Sequence, residues 1–183
     1  MLYRMFPWSP PVGPTDPGGP LHAPRFDQGE GRHDNPEVYG ALYLSRTPTS
    51  PVAEFLREYV GRPLDLGKLL EGGSRAALAV VDESDLAEVL DLDEPANLVA
   101  RELRPSAVAT KARKRTQRQA LDLYREGLAG FEWWSTIEAS WINVTLFADR
   151  SADRLRLVED PVPLTPDHPV IEEAAATIGL VLA

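Results

Sequence analysis

The sequence predicts a single α+β domain in which several short strands pack with about four helices. Its length of 183 residues suits one compact domain with a sizeable core. Its 43% hydrophobic and 26% charged residues are ordinary values for a globular protein. Segments with strand patterns and segments with helix patterns both occur along the chain, and this mixture indicates the α+β class.

The N-terminal third is predicted to hold a long loop, a strand and a helix. Pro7–Pro24 contains seven prolines and three glycines, which exclude a helix or a central strand and predict a surface loop. The polar stretch Asp27–Pro36 is also predicted to be loop, and Tyr39–Ser45 to be a buried strand. Ser50 and Pro51 have the residue types of an N-cap and a first helical position, so a helix is predicted from there to Gly61.

The rest of the chain is predicted to contain further strands and helices. The predicted strands are Arg75–Val81, Phe131–Ser135, Trp141–Phe147 and Arg154–Val158. The predicted helices are a short one that begins at Asp93-Glu94-Pro95 and ends before Pro105, the longest one over Lys111–Gly127, and a terminal one over Val170–Ile178 that Gly179 closes.

The net charge of −9 argues against nucleic acid as a direct partner, because an acidic chain is repelled by phosphates. One basic run opposes this trend, and it consists of Lys111, Arg113, Lys114, Arg115 and Arg118. Such a run is usually a solvated helix face. It could also bind an acidic partner protein or an anionic ligand, and the sequence leaves these alternatives open.

Several classes of protein are disfavoured by what the sequence lacks. There is no cysteine, so a disulfide framework, a thiolate metal site and a cysteine nucleophile are excluded. His22, His33 and His168 have no ligand spacing, so no metal site is expected. The patterns GxGxxG, GxxxxGK[ST] and GxSxG are absent. No apolar run is long enough to span a bilayer and no secretory signal is visible, so we expect a cytoplasmic protein that does not bind membranes.

Several short segments share their order and spacing with a known family. In the first half they are Tyr3-Arg4, Gly31-Arg32-His33-Asp34-Asn35-Pro36, Ala41-Leu42-Tyr43-Leu44-Ser45 and Ala53-Glu54. In the second half they are Thr116-Gln117, Gly130-Phe131-Glu132-Trp133-Trp134-Ser135 and Asn143 to Phe147. This order resembles the RES domain, a family named for an arginine, a glutamate and a serine, and the resemblance covers nearly the whole chain.

The resemblance implies a fold, a reaction and a partner. RES proteins have a fold similar to that of ADP-ribosyltransferases, so we expect a mixed sheet core with peripheral helices, formed by residues 1–183 as a single RES domain. Characterised members destroy NAD⁺ by hydrolysis or phosphorolysis of the nicotinamide–ribose bond, and some relatives modify a protein target. Many are toxins paired with a Xre-type antitoxin that carries a DNA-binding domain. NAD⁺ would be the substrate, with no further cofactor and no metal.

The same resemblance assigns site residues. Arg32, Glu54 and Ser135 fall on the arginine, the glutamate and the serine of the family, and they are the predicted catalytic residues. Arg4 and Tyr43 match its early arginine and its strand tyrosine, and they are the predicted substrate-binding residues.

These residue types suit cleavage of NAD⁺. An arginine fork can hold phosphate oxygens, and a tyrosine can stack on nicotinamide. Glu54 would stabilise the positive charge that develops on the ribose, or activate the incoming nucleophile. Ser135 would position the substrate by a hydrogen bond, because no histidine base is evident beside it. His33 stands where a tryptophan often follows the family arginine, so the nearby Arg25 is a second candidate for the role of Arg32.

Each assignment has an ordinary structural alternative. Glu54 could be a solvated first-turn acid, Arg32 a loop arginine, Tyr43 a core residue, and Ser135 the polar end of its strand. At the level of the whole protein, the alternatives are transfer of ADP-ribose to a protein and a non-catalytic module that only binds a partner. Homodimerisation is left open. Convergence of Arg32, Glu54 and Ser135 on one pocket would favour catalysis.

Overall fold

The computed structural model describes residues 1–61, 75–87 and 89–182. The strands in these ranges are β1 (Leu2–Trp8), β2 (Ala41–Ser45), β3 (Arg75–Asp82), β4 (Leu90–Asp91), β5 (Gly130–Trp134), β6 (Ile142–Phe147), β7 (Arg156–Leu157) and β8 (Val162–Pro163). They form a mixed sheet of order β4-β5-β6-β2-β1-β3-β7, with β8 paired to β3. The β4–β5 pair is parallel, and the other described pairs are antiparallel.

Helices accompany the sheet along the described chain. They are α1 (Thr49–Leu56), α2 (Pro95–Ala100), α3 (Pro105–Val108), α4 (Arg113–Arg125), α5 (Ala148–Ser151) and α6 (Pro169–Ile178). Gly179 ends α6 with a φ of 69°, the left-handed conformation that glycine adopts without strain. The combination of a mixed sheet with peripheral helices confirms the predicted α+β class.

Alternation along the central strands separates two faces of the sheet. On one face, Leu42, Leu44, Val144 and Leu146 form an apolar layer with residues from β1, β3 and the loop after β1. On the other face, one apolar cluster packs beneath α1 and α6, and a second packs beneath α2, α3 and α4. The second face therefore carries two groups of helices, and the candidate site lies between them.

The predicted loop begins after Trp8 rather than at Pro7, because Pro7 belongs to β1 and pairs in register with Ala76. Pro7 is exposed, and β1 pairs with β2 in register only at Tyr3, so β3 is its strand neighbour at Pro7 among the described residues. A proline is tolerated on such a stretch because its missing N–H removes no bond from a second ladder.

The start of α1 also differs from the prediction. The helix begins at Thr49 with Pro48 at the N-cap, so Ser50 lies inside the first turn and does not cap it. The Ser50 hydroxyl instead donates to Oδ1 of Asn143 on β6, at 2.7 Å. This contact joins the helix to the sheet, and it uses the hydroxyl that a local cap would have needed.

The other predicted elements are present with shifted ends. The strands predicted over Arg75–Val81, Phe131–Ser135 and Trp141–Phe147 are confirmed to within one residue at either end. The strand predicted to begin at Tyr39 begins at Ala41, and the one predicted over Arg154–Val158 is reduced to β7. The four predicted helices are present, whereas α3 and α5, each a single turn, were not predicted.

Candidate active site

A cavity of about 550 Å³ opens on the helix-bearing face of the sheet, a volume typical of small-molecule sites. Its floor comes from four neighbouring strands, which contribute Met5, Tyr43, Asn143 and Trp133. One wall is formed by α1 and the turn after it, with Pro51, Glu54, Arg57 and Glu58. The facing wall is formed by the loop before β2 and by the segment that leads into α4, with Glu30, Gly31, Arg32, Lys111 and Arg113.

Charged side chains are concentrated around this cavity. Four of its lining residues are basic (Arg32, Arg57, Lys111 and Arg113) and three are acidic (Glu30, Glu54 and Glu58). In a chain of net charge −9, this local excess of basic groups gives an anionic ligand a favourable position.

Tyr43 joins the sheet to the loop that carries Arg32. Its hydroxyl donates to Oδ1 of Asp34 at 2.6 Å and accepts the backbone N–H of His33 at 2.9 Å. Burial raises the pKa of Tyr43 well above its ordinary value, and the negative charge of Asp34 adds to this, so the hydroxyl stays protonated. Oδ2 of Asp34 accepts the backbone N–H groups of Gly29 and Gly31, which folds the loop tightly around the carboxylate.

Arg32 faces the cavity from this loop. Its guanidinium donates to the carbonyl of Thr110, lies 3.4 Å from the hydroxyl oxygen of Thr136, and stands 4.9 Å from the ring centroid of Trp133. Burial lowers the pKa of Arg32, and the nearby negative charge of Glu54 opposes that shift. The Thr116 hydroxyl on α4 donates to the carbonyl of Arg32, and this hydrogen bond fixes the loop to the helix.

Glu54 lies on the facing wall, three residues before Arg57. Its Oε2 is 2.7 Å from Nη1 of Arg57, and the two side chains are 30% and 37% exposed. The carboxylate is therefore neither a fully solvated surface acid nor a buried one. The structure thus brings Arg32, Tyr43 and Glu54 to one cavity.

Ser135 is placed beside the cavity rather than in its lining. The residue is buried, its backbone N–H donates to the carbonyl of Trp141, and its Oγ accepts the backbone N–H of Ile137. These bonds close the turn between β5 and β6, which matches the structural alternative for this serine. The next residue, Thr136, contacts Arg32, so Ser135 borders the site without facing it.

Arg4 and Arg25 lie away from the cavity. Arg4 extends from the face of β1 opposite to that of Met5, and it donates to the carbonyls of Pro20 and His22 in the loop after β1. Burial lowers the pKa of Arg4 to about 10, which leaves it protonated at neutral pH. Arg25 donates to the carbonyls of Pro36 and Glu37. Both arginines hold loop backbone, so their placement supports neither the substrate-binding role predicted for Arg4 nor Arg25 as a second candidate for the role of Arg32.

The basic run divides into two parts. Lys111 and Arg113 line the cavity, and Arg113 also pairs with Glu30 at 3.2 Å. Arg118 is a surface residue that pairs with Asp122 on the same helix. Arg118 is therefore part of a solvated helix face, as expected for a basic run. Lys111 and Arg113 are instead placed where an anionic ligand could bind, which was the alternative for this run.

The cavity also contains Arg57, Asn143 and Trp133, which the sequence analysis did not name as site residues. Arg57 follows Glu54 by one helical turn, so its position could have been inferred from the helix periodicity. Asn143 is 5% exposed and its Oδ1 accepts the Ser50 hydroxyl, a contact that no local pattern signals. Trp133 is both a core residue and part of the cavity floor.

The described residues contain neither a cluster of metal ligands nor a membrane-spanning helix. In residues 1–61, 75–87 and 89–182, no group of three His, Asp or Glu side chains is arranged to hold a metal ion. No helix in these ranges has the length and apolar composition needed to cross a bilayer.

The model of the RES domain family matches residues 2–167 of the chain. The chain belongs to the RES-domain family. This RES domain is also similar to a chain in the crystal structure of the M. tuberculosis MbcT–MbcA toxin–antitoxin complex, with 23% sequence identity and a TM-score of 0.66 over 96% of this chain and 88% of that chain. At this identity the likeness shows the fold. No curated protein matches the chain.

Proposed function

We propose that this RES domain cleaves the nicotinamide–ribose bond of NAD⁺, with water or phosphate as the acceptor. The observation that carries the proposal is that Arg32, Tyr43 and Glu54 line one cavity. A dinucleotide needs a cation for its pyrophosphate, an aromatic surface for its nicotinamide ring and a carboxylate near its ribose. The family match supports the same activity, and NAD⁺ enters as substrate rather than as a bound cofactor.

The phosphates would bind at the wall formed by the loop and α4. Arg32, Lys111 and Arg113 provide three cationic side chains there. Arginine can donate two parallel hydrogen bonds to phosphate oxygens, and lysine adds a point charge. The nicotinamide ring would then lie against Tyr43 on the cavity floor, within reach of the Glu54 wall.

Bond cleavage would leave both electrons of the C–N bond on the nicotinamide nitrogen, so nicotinamide departs neutral and the ribose carbon becomes cationic. The Glu54 carboxylate would stabilise that charge from the wall of α1. An oxygen of water or phosphate then bonds to the ribose carbon, and any proton that it loses passes to Glu54 or to solvent. No step requires a metal.

The biological role that we propose is that of a toxin held in check by a Xre-type antitoxin in the cytoplasm. The family and the fold shared with a chain of a toxin–antitoxin complex support this role. Lys114, Arg115 and Arg118 are exposed on α4 close to the cavity wall, so an acidic segment of the partner would find complementary charge there. We do not expect this chain to bind nucleic acid directly, because its net charge of −9 repels phosphates.

The test is release of nicotinamide from NAD⁺ by the purified protein, with and without phosphate. Glu54→Gln should lower kcat by about 10²–10³-fold, because it removes one electrostatic group from the transition state. Glu58→Gln is the matched control, since it removes an exposed carboxylate from the same wall and should stay close to the parent.

Each outcome selects among the candidate reactions. Turnover that requires phosphate would establish phosphorolysis, and turnover without it would establish hydrolysis. Transfer of ADP-ribose to an added protein would show instead that the acceptor is a protein rather than phosphate or water. A folded parent that releases no nicotinamide under any of these conditions would overturn the proposal in favour of a binding module.

A further inference from the structure

The Glu54 carboxylate forms an ion pair with Arg57, close to where the proposed reaction would develop positive charge. Oε2 of Glu54 and Nη1 of Arg57 are 2.7 Å apart, and both side chains line the cavity. A guanidinium in this position would oppose the formation of a ribose cation, because like charges repel at short range. If the ion pair between Glu54 and Arg57 stayed intact during the reaction, it would therefore weaken the stabilisation that Glu54 is proposed to supply.

The pair is also placed so that a ligand can separate it. Arg57 is 37% exposed and stands just after the end of α1, in a short 3-10 turn. In the part of the chain that the structure describes, Glu54 is the acidic side chain with which Arg57 forms an ion pair. Such partly exposed pairs are weak, whereas the bidentate pairing of an arginine with a phosphate is strong.

Arg32 on the facing wall lies within electrostatic range of both groups. The negative charge of Glu54 and the positive charge of Arg57 shift the pKa of Arg32 in opposite directions. Arg32 and Arg57 line the same cavity, so a phosphate drawn in by Arg32 comes within the field of Arg57.

We propose that Arg57 is a specificity-determining residue. It pairs with Glu54 in the free protein, and it leaves Glu54 to pair with a phosphate of the substrate when the substrate binds. This inference rests on the proposed function. Displacement makes the carboxylate available only when a phosphate-bearing nucleotide is bound, so the site favours NAD⁺ over nicotinamide riboside, which has the same scissile bond and no phosphate. Lys111 can bind phosphate as well, but among the described residues the ion pair of Glu54 is with Arg57 and not with Lys111.

The experiment compares kcat/KM for NAD⁺ and for nicotinamide riboside in the parent and in Arg57→Gln. Loss of an arginine–phosphate contact should lower the value for NAD⁺ by at least about tenfold. Loss of the guanidinium from Glu54 should raise the value for the riboside by about threefold. Arg57→Lys keeps the charge but not the fork, so it should lie between these two proteins.

Lys111→Gln is the matched control, because it removes a cation of the same cavity that forms no ion pair with Glu54 among the described residues. It should lower kcat/KM for NAD⁺ without raising the value for the riboside. A riboside value that is unchanged or lower in Arg57→Gln, in a protein with the parent's melting temperature, would overturn the inference alone. A folded parent that does not cleave NAD⁺ would overturn the proposed function and this inference with it. Should Arg57→Gln not fold, the same comparison in Arg57→Lys decides.

Discussion

Replacing Tyr43 by phenylalanine removes a single hydroxyl that holds the Arg32 loop against the sheet. That hydroxyl donates to Asp34 at 2.6 Å and accepts the backbone N–H of His33 at 2.9 Å. Asp34 in turn accepts two backbone N–H groups of the loop, so the hydroxyl links a folded loop to a central strand. The variant keeps the aromatic ring and hence most of the packing.

The size of the effect follows from these two bonds. A hydrogen bond to a charged group contributes about 1.5–3 kcal/mol, and a neutral one contributes about 1 kcal/mol. The Asp34 carboxylate keeps its bonds to the backbone N–H groups of Gly29 and Gly31, and this offsets part of the loss. We therefore expect Tyr43→Phe to lower the free energy of unfolding by about 2–3 kcal/mol.

Urea unfolding at neutral pH measures this loss as a lower midpoint with an unchanged slope. Tyr3→Phe is the matched control, because Tyr3 projects from the same face of the neighbouring strand and its hydroxyl has no hydrogen bond to the described residues. The control should stay within about 0.5 kcal/mol of the parent. Equal midpoints for the two variants would refute the claim that Tyr43 anchors the loop.

Two further predictions concern groups outside the proposed chemistry. Burial keeps the pKa of His33 well below its ordinary value. Below about pH 6.5 the unfolded chain therefore binds a proton that the folded chain does not. The free energy of unfolding should then fall by up to about 1.4 kcal/mol for each pH unit. Urea midpoints at neutral and mildly acidic pH should show this slope in the parent and a smaller one in His33→Gln, and equal slopes would contradict it. Arg4→Ala should expose the loop after β1 to proteases while KM for NAD⁺ stays near that of the parent, because Arg4 holds Pro20 and His22 on the other face of the sheet. A large rise in KM with an intact loop would instead return Arg4 to substrate binding.

The helices and strands could be predicted from the sequence where the contacts that fix them are local in the chain. Glycine after an apolar helical repeat correctly predicted the end of α6 at Gly179, because glycine adopts the left-handed conformation there. The same reasoning failed for Ser50, since its hydroxyl bonds across the structure to Asn143 rather than within its own helix turn. It failed for Pro7 as well, because tolerance of a proline depends on which edge of a strand is paired.

The sequence by itself determined the fold class, the family and the residue types available for the chemistry, because helix and strand periodicity and the order of motifs are local properties of the chain. Only the tertiary structure decided which of these residues meet. It brought Arg32, Tyr43 and Glu54 to one cavity, and it placed Arg4 and Ser135 outside the cavity lining. The physical reason is that a site is formed by strand order, register and the packing of helices on a chosen face, and these depend on contacts between residues far apart in the chain.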